Sequence, residues 1–170
     1  MSSQPEEILS ILRRAYQVEV DGHTFYRMIA DKTKQPAVGE IFAKLASDEV
    51  EHMAYLRTIS DRYKTEGAGA FMADRKAPDL RMFADQVLTE KFRSQAHGAA
   101  FEMSALSIGM QLESNAIATF SNAAKQATET EVKGFYQFLA DWEMTHMDTL
   151  RRLYEGVRVD FWAKDGFAPF

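Results

Sequence analysis

Glu49 and His52, in DEVEH, stand three residues apart, and Glu143 and His146, in WEMTH, repeat that spacing. On a helix, residues three apart lie on one face. A carboxylate and an imidazole aimed in the same direction form either a surface pair or part of a metal site. The chain holds 14 Glu and four His, so random placement would give fewer than one such pair, and two occur. Each is also preceded by a glutamate thirty residues upstream, Glu19 for the first and Glu113 for the second.

The two sets belong to an internal repeat. A shift of 94 residues carries Gln17 onto Gln111, Glu19 onto Glu113, Leu45 and Ala46 onto Leu139 and Ala140, and Glu49 and His52 onto Glu143 and His146. Met53, Leu56 and Arg57 fall on Met147, Leu150 and Arg151, and no gap is needed. Repeats of this kind signal two copies of one structural unit.

Cysteine is absent, which removes disulfides, thiolate catalysis, zinc ribbons and iron–sulfur clusters. Any metal must therefore be held by His, Glu or Asp, a donor set that suits iron, manganese or zinc. Burying four carboxylates without compensation is prohibitive. Two divalent cations would match the four negative charges, and neutral His would add a ligand to each metal without adding charge.

Four long helices must position these groups. Ser3, Pro5 and Glu6 read as a helix start with capping-box spacing, followed by apolar residues at helical intervals through Ile29. KTKQPAVG, residues 32–39, breaks the pattern, and a second helix runs from Ile41 to Ile59 and fades in TEGAGA, residues 65–70. Gly67, Gly69 and Pro78 interrupt the next stretch, where DLRMFADQVLTEKF reads as a short helix inside a long connection. A third helix runs through GAAFEMSALSIGMQLESNAIATFSNAAKQ, with Gly98, Ala99, Ala105 and Gly109 allowing close approach of a neighbour. Thr128 and Glu131 have capping-box spacing before a fourth helix that ends near Gly156. Strand and hairpin signals are poor throughout. The expectation is an all-α fold: a four-helix bundle with one long crossover between helices 2 and 3. Residues 1–156 would form the bundle, and 157–170 an aromatic tail packing on it or on a partner subunit.

With hairpin turns near residues 35 and 128, Glu19 lies opposite Glu49 and Glu113 opposite Glu143, within about one turn at about 1.5 Å per residue. Facing hairpins would gather four Glu and two His inside the bundle. The sequence resembles the ferritin-like di-iron superfamily, and within it rubrerythrin-type domains lacking a rubredoxin module. The residues that carry the likeness are Glu19 with Tyr26 in EVDGHTFY, Glu49 and His52 in DEVEH, Glu113 with Phe120 in ESNAIATF, and Glu143 and His146 in WEMTH. It extends over roughly residues 5–156, and a Glu from each of two helices with Glu-x-x-His from each of the others is the known di-iron carboxylate pattern.

The resemblance implies two iron ions, with manganese or zinc as possible substitutes. Glu19 and His52 would hold one iron, Glu113 and His146 the other, and Glu49 and Glu143 would bridge and take part in catalysis. It also implies reduction of O₂ or H₂O₂ with oxidation of Fe(II), against an alternative of iron storage or carriage with little turnover. Classical rubrerythrins carry a further Glu one turn after the first ligand of the third helix; here that place is Ala116. They often add a four-cysteine rubredoxin domain, so here an external electron donor protein is expected. These departures leave ferroxidase-like iron oxidation open.

Tyr26 reads as a core aromatic and also as a candidate catalytic residue, able to bond a ligand or carry an electron. His23 reads as lying beside the site rather than in it, and Asp48 as a solvated helix residue, with orientation of a ligating His as the alternative. His97 and Glu102 read as structural, and Met53, Met103, Met110 and Met147 as core filling. The net charge of −5 and the lack of a basic run argue against nucleic acid, and no apolar window is long enough for a membrane span. The N-terminus lacks signal-peptide features, so the cytoplasm is expected. The small-residue helix and aromatic tail suggest a homo-oligomer, with a dimer favoured.

Overall fold

The computed structural model describes residues 4–72 and 100–164. Helix α1 spans Gln4–Lys32 and α2 spans Pro36–Glu66. A short 3-10 helix, Gly67–Met72, follows directly. Helix α3 spans Ala100–Gln126 and α4 spans Thr130–Lys164. Among the described residues there is no strand, and no helix is long and apolar enough to cross a membrane. The chain is an all-α helical bundle, as its periodicity implies. The crossover joins Met72 to Ala100, and the short helix expected within it lies outside the described residues, as do Ser3 and His97.

Each helix buries one stripe. In α1 the stripe is Ile8, Leu12, Ala15, Glu19, Gly22, Tyr26 and Ile29, with alternating steps of four and three that keep one side turned inward. Successive pairs of helices form antiparallel hairpins. Tyr16 meets Arg57, Glu19 meets His52 and His23 meets Ala46, so residue numbers rise along α1 as they fall along α2. Helices α3 and α4 pack the same way, and α1 also packs on α3.

The turns follow from local chemistry. Pro36 opens α2, where its missing N–H costs nothing, and the Gln35 carbonyl accepts the Gly39 N–H at 2.9 Å. Gly67 ends α2 at φ +60°, a conformation that favours glycine, and its N–H bonds the Tyr63 carbonyl. That turn drives Ala70 and Phe71 of the 3-10 helix into the core, where Phe71 packs on Phe135 with ring centroids 4.8 Å apart.

Two expected boundaries differ. The Glu129 carbonyl accepts the first bond of α4, from the Lys133 N–H, so Glu129 rather than Thr128 stands at the helix entrance. Helix α4 also continues past Gly156 to Lys164. Val157 is fully buried and extends the stripe of Leu150 and Leu153, so packing carries the helix through the glycine. The side chains beyond Arg158 and the residues after Lys164 lie outside the described part.

The apolar core divides in two. One cluster gathers Leu12, Leu56, Ile59, Phe120, Phe135 and Leu139, and the other gathers Tyr26, Phe42, Leu45, Leu106, Leu150 and Leu153. On each of the four long helices the buried Glu and His residues of the repeat fall between these clusters. The bundle therefore holds a polar layer between two apolar plugs that keep water from it.

Candidate metal centre

Each ligand candidate occupies a stripe position that would otherwise carry Leu or Ala. Glu19, Glu49, His52, Glu113, Glu143 and His146 are all buried, none more than 3% exposed. The Nδ1 atom of His52 lies 3.0 Å from Glu19 Oε2, 3.2 Å from Glu49 Oε2 and 3.4 Å from Glu143 Oε1. The Nδ1 atom of His146 lies 3.5 Å from Glu49 Oε1, 3.6 Å from Glu113 Oε1 and 3.6 Å from Glu143 Oε2. Glu49 and Glu143 thus give one oxygen to each histidine, while Glu19 serves only His52 and Glu113 only His146. The two imidazoles stack with centroids 5.0 Å apart and planes 9° from parallel. The structure brings all six sequence-predicted residues together with the twofold pattern of the repeat.

Tyr26 is fully buried and donates its hydroxyl hydrogen to Glu113 Oε1. Its repeat counterpart is Phe120, so only one terminal carboxylate receives such a bond. His23 does not enter the layer; its Nδ1–H donates to the Ala46 carbonyl at 2.8 Å and ties α1 to α2. Glu102 is buried outside the layer and accepts the Thr33 hydroxyl at 2.7 Å. Ala116 lies in the core beside the layer, adding no ligand.

Asp48 is a correction. It is 1% exposed rather than solvated, pairs with Lys44, and places Oδ2 4.0 Å from Nε2 of His146. The residue before Glu49 points at the opposite hairpin's histidine, because consecutive residues turn by about a quarter of a helix. Trp142 stands in the same relation to Glu143, and its ring lies 3.9 Å from that of His52. The shared place in DEVEH and WEMTH is the signal that marks both. Gly22 is the other site residue that spacing alone does not reveal. A Cβ there would sit 2.8 Å from Glu49 Oε1, so glycine lets the carboxylate lie against the α1 backbone.

The electrostatics show what these groups do with protons alone. Burial pushes Glu19 well above the carboxylate range, and the charge of Glu143 adds to the rise. Burial also pushes Glu113 up, to about 8. Burial acts the same way on Glu49, but charged His146 outweighs it and holds this carboxyl low. His52 does the same for Glu143. Burial opposes charge on both imidazoles, yet Glu143 beside His52 and Glu49 beside His146 raise them well above the usual imidazole value. The layer is then neutral, with two imidazolium ions, two carboxylates and two neutral carboxyls.

That arrangement leaves bonds unmade. Glu19 Oε1, Glu49 Oε2, Glu143 Oε1, His52 Nε2 and both ring nitrogens of His146 are buried without a hydrogen-bond partner. Such groups call for an ion or water. Ligand atoms from Glu49, His52, Glu143 and His146 lie within 4.8 Å of one another, and Glu19 and Glu113 flank them. The donors fit a pair of divalent cations, which would replace the layer's four protons charge for charge. The rubrerythrin family profile matches residues 10–154. The chain belongs to the rubrerythrin family. No curated protein and no solved structure matches it. In this rubrerythrin-family bundle the buried Glu/His group is a candidate metal centre whose donor chemistry agrees with the family.

Proposed function

We propose that the chain binds two iron ions and is an oxidoreductase that reduces H₂O₂ or O₂ as Fe(II) is oxidised. Glu19 and His52 would hold one iron and Glu113 and His146 the other, with Glu49 and Glu143 shared. Manganese or zinc would satisfy the same donors. The observation that carries the reading is the shared geometry of Glu49 and Glu143, each offering one oxygen to either histidine.

When bound, a carboxylate-bridged iron pair supplies two electrons from adjacent ions, as two-electron reduction of peroxide requires. The chain's residues do the rest. Glu49 and Glu143 would hold both ions between the two histidines, each offering one oxygen to either side. Tyr26 holds a proton against Glu113, and burial, followed by the charge of Glu113, keeps that phenol from ionising. The two apolar clusters exclude water above and below. Electrons would come from an external donor protein, and the working form would be a cytoplasmic homo-oligomer, a dimer by preference.

Two measurements test this. Protein grown with iron should hold about two irons per chain, and the double variant Glu49→Ala, Glu143→Ala should lose them; retention of both sinks the shared-ligand assignment. Reduced, iron-loaded protein should be oxidised by H₂O₂ or O₂ within the time of mixing experiments. Iron that resists both oxidants, in a cage-sized oligomer by light scattering, would favour storage instead.

A further inference from the structure

The two halves of the site repeat in their ligands but differ in what surrounds them. On the His52 side, Trp142 lies against the imidazole, with centroids 3.9 Å apart. Tyr55 stands 5.6 Å beyond Trp142, edge-on, and Phe138 stands 5.2 Å from it. Tyr55 and Phe138 also contact each other at 5.7 Å, and both are half-buried. Tyr55 and Phe138 thus extend the ring contacts of Trp142 along the α2–α4 seam. The repeat places Asp48, Thr149 and Lys44 where this side has Trp142, Tyr55 and Phe138. Among the described residues the His146 side thus carries polar and charged groups at these three places, where the His52 side carries rings.

Packing alone does not require this asymmetry, since the same bundle position accepts Asp48 on one side and Trp142 on the other. Indole is among the most readily oxidised side chains, and electron transfer falls off steeply with distance, so ring contact matters. Trp142 is 5% exposed, and its Nε1–H has no hydrogen-bond partner. An indole that loses an electron there has no acceptor for its proton and keeps it. Tyr26 also adjoins the site, but its ring neighbours are Phe25 and Phe42, which do not oxidise readily.

We propose that Trp142 is the station through which single electrons pass between the metal pair and a one-electron carrier in solution. The inference rests on the metal-binding reading above. In each transfer Trp142 gives one electron toward His52 and the oxidised metal pair, which is reduced by one. The carrier then returns one electron to the indole and is oxidised by one. No bond forms or breaks, and no proton leaves the chain.

The test uses full-length Trp162→Phe protein, which leaves Trp142 as the single tryptophan, loaded with Fe(II) or with Zn(II) and assayed for metal beforehand. A flash-generated one-electron oxidant in solution creates the indole radical, and its absorption is followed in time. Fe(II) can refill the radical and Zn(II) cannot. The radical should decay faster with Fe(II) by an order of magnitude or more. Trp142→Phe should lower the iron oxidised per flash by a similar factor. Equal lifetimes with the two metals, or undiminished iron oxidation in Trp142→Phe, overturn the conduit while leaving the metal site standing. A chain that takes up neither metal overturns the site reading and the conduit with it.

Discussion

Replacing Gly22 with Ala should separate metal binding from folding. The added Cβ would lie 2.8 Å from Glu49 Oε1 and 3.2 Å from its carboxyl carbon. Ordinary contact begins at 3.4 Å, so the oxygen must retreat by about 0.6 Å. In the metal-free protein the carboxylate end can turn aside. Helix propensity favours Ala over Gly by about 1 kcal/mol, so net stability should change by no more than about that. A shared ligand has no such freedom, because metal–ligand distances tolerate only about ±0.2 Å. Affinity for both ions should fall by roughly 10- to 100-fold, the scale seen when a ligand's support is disturbed. Calorimetric titration with Zn(II) or Co(II), beside denaturant unfolding of the metal-free protein, reads the two effects separately. Gly69→Ala, with nothing within 4 Å of its Cβ, is the control for metal affinity. If Gly22→Ala binds two ions as tightly as the parent, Glu49 is not a shared ligand held against α1.

Metal-free protein should lose stability as pH rises from about 4.5 to about 8. Glu113 stays neutral in the folded chain up to about 8 but ionises near 4.5 when unfolded, so its contribution is full below the lower value and lost through the upper. His52 and His146, also raised, act with the same sign, and Zn(II) loading should abolish the decline; unfolding midpoints that stay flat or climb in the metal-free protein refute this. Metal uptake at neutral pH should release up to four protons, from Glu19, Glu113, His52 and His146, visible as buffer-dependent binding heats. Heats that do not vary with buffer would contradict it. Tyr26→Phe removes the bond to Glu113 and should cost the metal-free protein about 1–3 kcal/mol in denaturant unfolding, with no change the opposing result. Asp48→Asn removes the charge facing His146 and should weaken metal binding roughly 10-fold or more without unfolding the bundle; unaltered affinity would leave Asp48 as Lys44's partner alone.

The six residues that meet in the layer were legible because their signal is one-dimensional. Glu-x-x-His at helical spacing, doubled by the repeat, needs no knowledge of how the hairpins meet. The bundle was legible for the same reason, since the buried stripes of all four helices follow from apolar periodicity. Trp142 was not, and Asp48 only as the less favoured reading, because each faces a histidine of the opposite hairpin. A charged residue followed by a glutamate looks solvated until the crossing of α2 and α4 is known. Gly22 was silent because its role is the absence of a side chain against the carboxylate of Glu49, on the next helix. The overrun of α4 past Gly156 reflects tertiary burial of Val157 outweighing the local cost of glycine.

The central claim is that six side chains from four helices meet in order to hold two cations. Anomalous diffraction across the iron absorption edge, on crystals of protein grown with iron, tests it most directly. The account predicts two anomalous peaks per chain, one bonded to Glu19 and His52, one to Glu113 and His146, and both to Glu49 and Glu143. No peak in the layer, or a peak bound elsewhere with these six residues paired only among themselves, would contradict it.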